Sequence, residues 1–145
     1  MIVNTKYYGE IEMEDDRIIT FPKGILGLEE YKKYILFEMP DNPKLFLLQS
    51  MDEESICFLL IKPWDFFPDY ETEISDEELS DIHVNSMEQL AVFNIINIKE
   101  EVSKSTANLL APIIINADTR EALQIVLQED KYKTKHFIFS QKEGD

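Results

Sequence analysis

A chain of 145 residues, 44% of them hydrophobic, is the usual size of one domain and can bury one core. Its 29 Asp and Glu outnumber its 14 Lys and Arg, and the resulting formal charge of -15 argues against direct binding to the phosphate backbone of a nucleic acid. The same charge is also a common means of staying soluble. Only the positions of the acids can distinguish a solubilising surface from an interaction surface.

The cysteine content and the N-terminus indicate a compartment. Cys57 is the only cysteine, so no internal disulfide can form, which fits a reducing environment. Residues 1–7 show no charged region followed by an apolar block and a cleavage site, and no apolar run is long enough to cross a bilayer. We therefore expect a cytoplasmic protein that does not contact membranes.

Short apolar runs separated by turn residues dominate the first half of the chain, and they favour antiparallel strands over helices. Gly24 and Gly27 bracket a bend after the third of these runs. The predicted strands of this half are residues 2–8, 9–13, 17–21, 34–38, 45–50 and 56–61.

The middle of the chain is strongly acidic. No Lys or Arg occurs between Pro63 and Ile98, whereas nine Asp and Glu do, eight of them in residues 65–81. In residues 69–74 the acids alternate with Tyr, Thr and Ile. An extended chain here would therefore place three carboxylates on one face and the tyrosine and isoleucine side chains on the other.

Ser75 is predicted to begin a short helix of one or two turns. Its hydroxyl can accept a hydrogen bond from the Glu78 N–H while the Glu78 carboxylate reaches back to the Ser75 N–H, which is a capping box. Asp76 and Glu77 occupy the first turn, where the positive end of the helix dipole favours acids. The helix would add to the negative charge of the segment before it.

The second half returns to strands. Residues 90–98 are apolar on both alternating faces, as in a central strand. Pro112 within the run 109–116 argues for an edge position or a bulge. Alternation at 123–127 and an apolar run at 136–139 complete the set.

About nine short antiparallel strands in one domain predict a barrel or a sandwich, because closure removes exposed edges. We expect a mainly β fold: a single-domain antiparallel β-barrel-like structure of short strands with one or two short helices. The domain would span residues 1–140, and a polar tail would follow at 141–145.

Metal and nucleophile signatures are missing from the sequence. Cys57, His83 and His136 are far apart, and neither a nucleophile elbow nor a phosphate-binding loop occurs. We therefore expect no catalytic residue, no metal site and no cofactor, and we interpret these three side chains as structural.

An aromatic group precedes the acidic segment. Its rings either plug the end of the barrel or form the hot spot of a protein interface, and both roles are compatible. The group consists of Trp64, Phe66, Phe67 and Tyr70.

Several short segments match one known family in order and in spacing. They are FPKGILGLE at 21–29, LQS at 48–50, FL at 58–59, Pro63, PDYE at 68–71, NLLAPIIIN at 108–116 and QIVL at 124–127. Through them the chain resembles the flagellar assembly factor FliW family along almost its whole length. Departures are mild, such as Ile25 where leucine is more usual.

The resemblance implies a non-enzymatic regulator, expected to be a monomer when free, with two alternative protein partners. One is flagellin, which would sequester the protein. The other is CsrA, a small dimeric protein that binds messenger RNA and represses flagellin translation. After flagellin export, the freed protein would capture CsrA outside its RNA cleft and relieve repression allosterically.

Charge suggests where CsrA would bind. An RNA-binding partner is basic, so a strongly acidic surface should steer its encounter and repel RNA from the complex. The residues assigned to partner binding on this argument are Asp69, Tyr70, Glu71, Glu73, Asp76, Glu77 and Glu78.

Three other functions stay open at this point. A carboxylate enzyme would use pairs drawn from Asp65, Asp69 and Glu71 and would need one carboxyl with a raised pKa in a cleft. A nucleic-acid mimic would occupy a basic RNA cleft directly. A chaperone for flagellin alone would suit an organism without CsrA.

Overall fold

The computed structural model describes residues 1–139, so the tail predicted at 141–145 lies outside the described residues. The described part contains one short α-helix, α1 (Asp76–Asp81), and eleven strands. The strands are β1 (Ile2–Thr5), β2 (Gly9–Glu12), β3 (Ile18–Thr20), β4 (Lys33–Met39), β5 (Asn42–Ser50), β6 (Cys57–Ile61), β7 (Leu90–Asn97), β8 (Thr106–Ala107), β9 (Ile113–Asn116), β10 (Ala122–Gln124) and β11 (His136–Phe137). Single turns of 3-10 helix lie at Asp15–Arg17, Pro63–Asp65, Met87–Gln89 and Val102–Lys104.

Nine of these strands form one sheet in the order β10-β9-β7-β6-β5-β4-β3, with β8 paired to β7 and β11 paired to β8. All of the ladders are antiparallel. β1 and β2 form a separate hairpin. Within residues 1–139, no helix has the length and apolar character needed to cross a bilayer.

The two ends of the sheet meet without forming a ladder. The backbone N–H of Thr20, at the end of β3, donates to the carbonyl oxygen of Arg120 at 2.9 Å, and one isolated parallel bridge joins Thr20 to Glu121. The sheet is therefore curled almost into a barrel but is not a closed one. This confirms the predicted mainly β, antiparallel fold, in which "barrel-like" describes only the curvature.

Two apolar clusters fill the curled sheet. One is built around Ile82, Ile114 and Ile125, and the side chains of Ile74 and Leu79 pack against it from the acidic segment and α1. The other cluster surrounds the bend after β3 and the middle strands. Its buried members are Ile19, Phe21, Ile25, Tyr34, Phe46, Leu48, Leu60, Phe93, Ile113, Ile115 and Ala122.

The predicted bend after β3 depends on glycine. Gly24 has φ +71, and a Cβ built there would lie 2.5 Å from the Glu29 Cα, so the backbone of this loop folds directly onto the position. Gly27 also has a left-handed φ of +85, but nothing lies within 4 Å of its would-be Cβ. Both positions thus need the left-handed backbone conformation that glycine favours, and only Gly24 also needs the absence of a side chain.

The structure corrects the prediction around Pro112. The strand expected over 109–116 begins only at Ile113, because proline lacks the N–H that a ladder needs. β9 is paired on both sides, with β7 and β10, so it is not an edge strand. The Pro112 carbonyl still accepts a hydrogen bond from the Ile125 N–H at 3.0 Å.

Other strand boundaries also differ. β1 ends at Thr5 because the Thr5 hydroxyl donates to the Gly9 carbonyl and accepts from the Tyr8 N–H, which forms a turn. β8 has two residues, too few to show a period, and no pattern in the sequence predicted it.

Candidate functional site: the acidic surface

The acidic segment is attached to the core by Tyr70, which is 5% exposed. Its hydroxyl donates to the Leu109 carbonyl at 2.6 Å and accepts from the Asn94 Nδ2 at 3.2 Å. Burial raises the pKa of Tyr70 to about 12, although the Asn94 hydrogen bond opposes the rise. The hydroxyl therefore stays protonated and available as a donor at neutral pH.

A second tyrosine holds the next residue. The Glu71 N–H donates to the Tyr132 hydroxyl at 2.8 Å, and the ring of Tyr132 lies edge-on to that of Tyr70 with centroids 4.8 Å apart. On the other side, the Trp64 indole N–H donates to the Tyr70 carbonyl at 2.7 Å. Side chains thus satisfy backbone groups that a neighbouring strand would otherwise satisfy.

The predicted alternation over residues 69–74 is confirmed. Tyr70 is buried and Ile74 is half-buried against the core, while the acids between and before them are exposed. The segment is nevertheless not a strand, because it joins no ladder. Packing of Tyr70 and Ile74 against the core gives the segment one buried face and one exposed face.

The predicted capping box of α1 is also confirmed. The Glu78 N–H donates to the Ser75 Oγ at 3.0 Å, and the Ser75 N–H donates to the Glu78 Oε1 at 2.9 Å. Asp76 and Glu77 lie exposed in the first turn. Ser75 and Glu78 therefore fix the start of the helix, and Glu78 also contributes to its negative charge.

We call the carboxylates of this segment and helix the acidic surface. It comprises Asp69, Glu71, Glu73, Asp76, Glu77 and Glu78. Among the described residues, its one ion pair is Glu71 with Lys131 at 3.9 Å, between two exposed side chains. One cation against six carboxylates leaves most of the negative charge of this surface in place.

Tyr70 does not belong to this surface, although the sequence argument placed it among the partner-binding residues. Its ring and hydroxyl face the core, and the alternation that exposes Asp69 and Glu71 is what buries it. Its role is to position the acids on either side.

The aromatic group mostly packs inward. Phe66 and Phe67 are half-buried against the first apolar cluster, while Trp64 remains 44% exposed. The two phenylalanines and Tyr70 therefore pack on the core, as the plug interpretation requires, whereas Trp64 stays partly at the surface.

Cys57, His83 and His136 lie in different surroundings. Burial raises the pKa of the Cys57 thiol to about 11, so the thiolate that chemistry would need is suppressed. The His83 Nδ1 lies 2.7 Å from a Glu121 carboxylate oxygen. The His136 Nε2 accepts from the Lys133 N–H at 2.8 Å, and burial, together with Lys133, lowers the pKa of this imidazole.

The three acids proposed for a carboxylate enzyme are all exposed: Asp65, Asp69 and Glu71. In the part of the chain that the structure describes, no group of three or more His, Cys, Asp or Glu side chains is placed to hold a metal ion.

One feature beside the acidic surface was missed by sequence reasoning. A groove separates residues 72–78 from the extended segment 123–128, and the exposed side chain of Val126 is among its lining residues. The Gln124 side chain fixes Leu26, because its Oε1 accepts the Leu26 N–H at 3.0 Å. The alternation at 123–127 signalled an extended chain but could not show which of its edges is paired.

Comparison with known proteins identifies the family. A sequence profile of the FliW protein family matches residues 2–138. The chain belongs to the FliW family. A FliW crystal structure, described as that of the flagellar assembly factor, superposes with a TM-score of 0.92 at 34% identity and covers 98% of this chain and 99% of that one.

FliW relatives match over nearly the full length. The flagellar assembly factor FliW of Clostridium botulinum is 36% identical over 98% of this chain and 99% of its own. The FliW proteins of Geobacillus kaustophilus and Natranaerobius thermophilus are 37% and 38% identical over 98% and 97% of this chain and 98% and 93% of their own. The resemblance read from the short motifs is therefore confirmed.

Proposed function

We propose that this FliW-family protein is a non-enzymatic regulator of flagellum assembly that binds flagellin and, when free of flagellin, binds the translational repressor CsrA. Binding to CsrA relieves repression of the flagellin messenger RNA allosterically. The protein acts in the cytoplasm as a monomer and contacts neither nucleic acid nor membrane directly.

The observation that carries the CsrA part of the proposal is the acidic surface. Its carboxylates, except that of the half-buried Glu78, are exposed, and buried tyrosines hold the segment before the helix in place. The one ion pair that these carboxylates make within the described residues is weak. An RNA-binding protein is basic, so such a surface attracts it over distances of one Debye length, about 8 Å at physiological salt. The same charge repels RNA from the complex.

Allosteric antagonism has a thermodynamic consequence. If this protein weakens the affinity of CsrA for RNA by some factor, RNA weakens the affinity of CsrA for this protein by the same factor. A ternary complex therefore exists and can be measured. A mimic that occupies the RNA cleft would give no ternary complex.

The test is a titration of this protein into CsrA bound to a fluorescently labelled flagellin leader RNA, at low and at high salt. We expect RNA release that weakens as salt rises. The absence of any complex at low salt would contradict the proposal. Binding to flagellin but not to CsrA would support a chaperone for flagellin only.

Charge reversal locates the surface. Replacing Glu71→Lys together with Glu73→Lys should slow association with CsrA by about tenfold or more, since complementary charge acts mainly on the association rate. Glu10→Lys together with Glu12→Lys, on the exposed side of β2, is the matched control and should leave the rate close to that of the wild type. Equal slowing by both pairs would show that net charge, and not this surface, steers the encounter.

A further inference from the structure

The groove beside the acidic surface is bordered by an unpaired edge of the main sheet. Beyond β10 the chain stays extended, and the N–H groups of Ile125 and Leu127 donate to the carbonyls of Pro112 at 3.0 Å and Leu110 at 2.8 Å. In an extended chain the intervening backbone groups point the opposite way. Within the described residues, the N–H groups of Val126 and Gln128 accordingly have no hydrogen-bond partner.

The edge is available to another chain. The Val126 carbonyl accepts only a long hydrogen bond, 3.3 Å, from the side chain of Gln128, which a stronger donor can displace. The Val126 side chain is 45% exposed. Soluble proteins usually cover or charge such an edge, because an unpaired edge recruits further strands.

The opposite wall of the groove is acidic. It carries Glu73, Glu77 and Glu78, and the whole groove has a volume of about 980 Å³. Lys23 is the one cation among its lining residues, and it is held at one end by Asp81 at 3.0 Å. The groove therefore combines backbone donors and acceptors on one side with uncompensated carboxylates on the other.

We propose that this groove binds an extended segment of the basic partner, which pairs with residues 124–128 as an additional β-strand. The inference rests on the proposed function, and it specifies how the partner is held after charge has steered it in. Backbone pairing supplies affinity and alternate side chains supply specificity, as in other cases of strand addition.

The position of the two walls fixes the chemistry of the segment. The side chains of Leu123, Ile125 and Leu127 point into the cluster on which Ile74 and Leu79 pack, so the acidic segment and α1 lie over that face of the edge. An added strand would turn alternate side chains towards this wall, where Lys or Arg would meet the carboxylates. The intervening side chains would lie beside Val126 and would be apolar.

Proline at position 126 tests the pairing. Val126→Pro removes an N–H that no internal hydrogen bond uses, and proline is tolerated on edge strands for this reason. Val126→Thr keeps the N–H and the branched shape and is the matched control. We expect Val126→Pro to weaken CsrA binding by about tenfold, the effect of losing one backbone hydrogen bond, and Val126→Thr to bind nearly as the wild type does.

Amide hydrogen exchange of the wild-type protein gives a second readout that does not depend on the variant folding. Saturation with CsrA should slow exchange at Val126 and Gln128, while the amides of β2 keep their free rates. Wild-type affinity in Val126→Pro together with unchanged exchange at both amides would overturn strand addition and leave the proposed function standing. A wild-type protein that does not bind CsrA at low salt would overturn the proposed function as well.

Discussion

The bend at residues 21–29 and the acidic segment at 69–75 both lie outside the strands and match the FliW family, yet a different kind of contact dominates in each. The bend depends mainly on its backbone, since two glycines adopt left-handed angles and the chain closes on itself at Glu29. Side-chain oxygens of Gln124 and Glu29 add hydrogen bonds from the Leu26 and Gly27 N–H groups. The acidic segment is fixed by side chains, through two tyrosine hydroxyls and a capping serine. Because buried side chains anchor the acidic segment, its exposed carboxylates are not required for the stability of the fold and are available for binding.

The largest expected loss of stability comes from substituting the glycines of the bend. Gly24→Ala adds a Cβ 2.5 Å from the Glu29 Cα at a left-handed φ, and we expect it to lower the free energy of unfolding by about 3 kcal/mol. Gly27→Ala has the same strain with nothing within 4 Å, and about 1 kcal/mol is expected. Urea unfolding of both variants measures the difference, and equal losses would show that the close approach at Gly24 does not matter.

The next effect concerns the deeper anchor of the acidic segment. Tyr70→Phe leaves the buried Leu109 carbonyl without its donor and removes one of the two acceptors of the Asn94 Nδ2, so we expect a loss of about 2 kcal/mol in urea unfolding. Tyr132→Phe removes one hydrogen bond, to the Glu71 N–H, and should cost about 1 kcal/mol. If Tyr70→Phe is as stable as the wild type, the segment is not held by this hydroxyl.

The helix cap comes third. Ser75→Ala removes the acceptor of the Glu78 N–H, and a loss of about 1 kcal/mol is expected. Ser75→Asp restores an acceptor at the same position and should recover most of the stability. An equal loss of stability in both variants would show that the hydrogen bond to the Glu78 N–H does not stabilise the helix.

The smallest expected effect on stability concerns an exposed carboxylate of the acidic segment. Glu73→Lys changes an exposed side chain that makes no ion pair among the described residues, so its free energy of unfolding should stay within about 0.5 kcal/mol of the wild type. Thermal and urea unfolding test this directly. A large loss would show that the acids serve the fold, which would remove the reason for treating them as a binding surface.

Local patterns predicted the parts of the molecule that local physics decides. The capping box at Ser75 and the alternation that buries Tyr70 and exposes Glu71 depend only on neighbouring residues, and both are present as expected. Pairing across the sheet was harder. The sequence could not show that β9 is enclosed by β7 and β10, since that depends on which distant strands meet.

The same limit applies to the candidate site. The sequence placed the acids correctly in one segment but could not show that Tyr70 is turned inward to serve as an anchor. It also could not show that the edge at Val126 lies across a groove from the acids. The two segments are far apart along the chain and meet only through packing.

The central claim is that the carboxylates of residues 69–78 meet the basic surface of CsrA. Cross-linking of carboxylates to lysines in the purified complex, read by mass spectrometry, tests it most directly. Links from Glu71, Glu73 or Glu77 to CsrA lysines, with none from Glu10 or Glu12 of β2, are the predicted result. Links from the β2 acids alone would place CsrA on the β1–β2 hairpin and contradict the account.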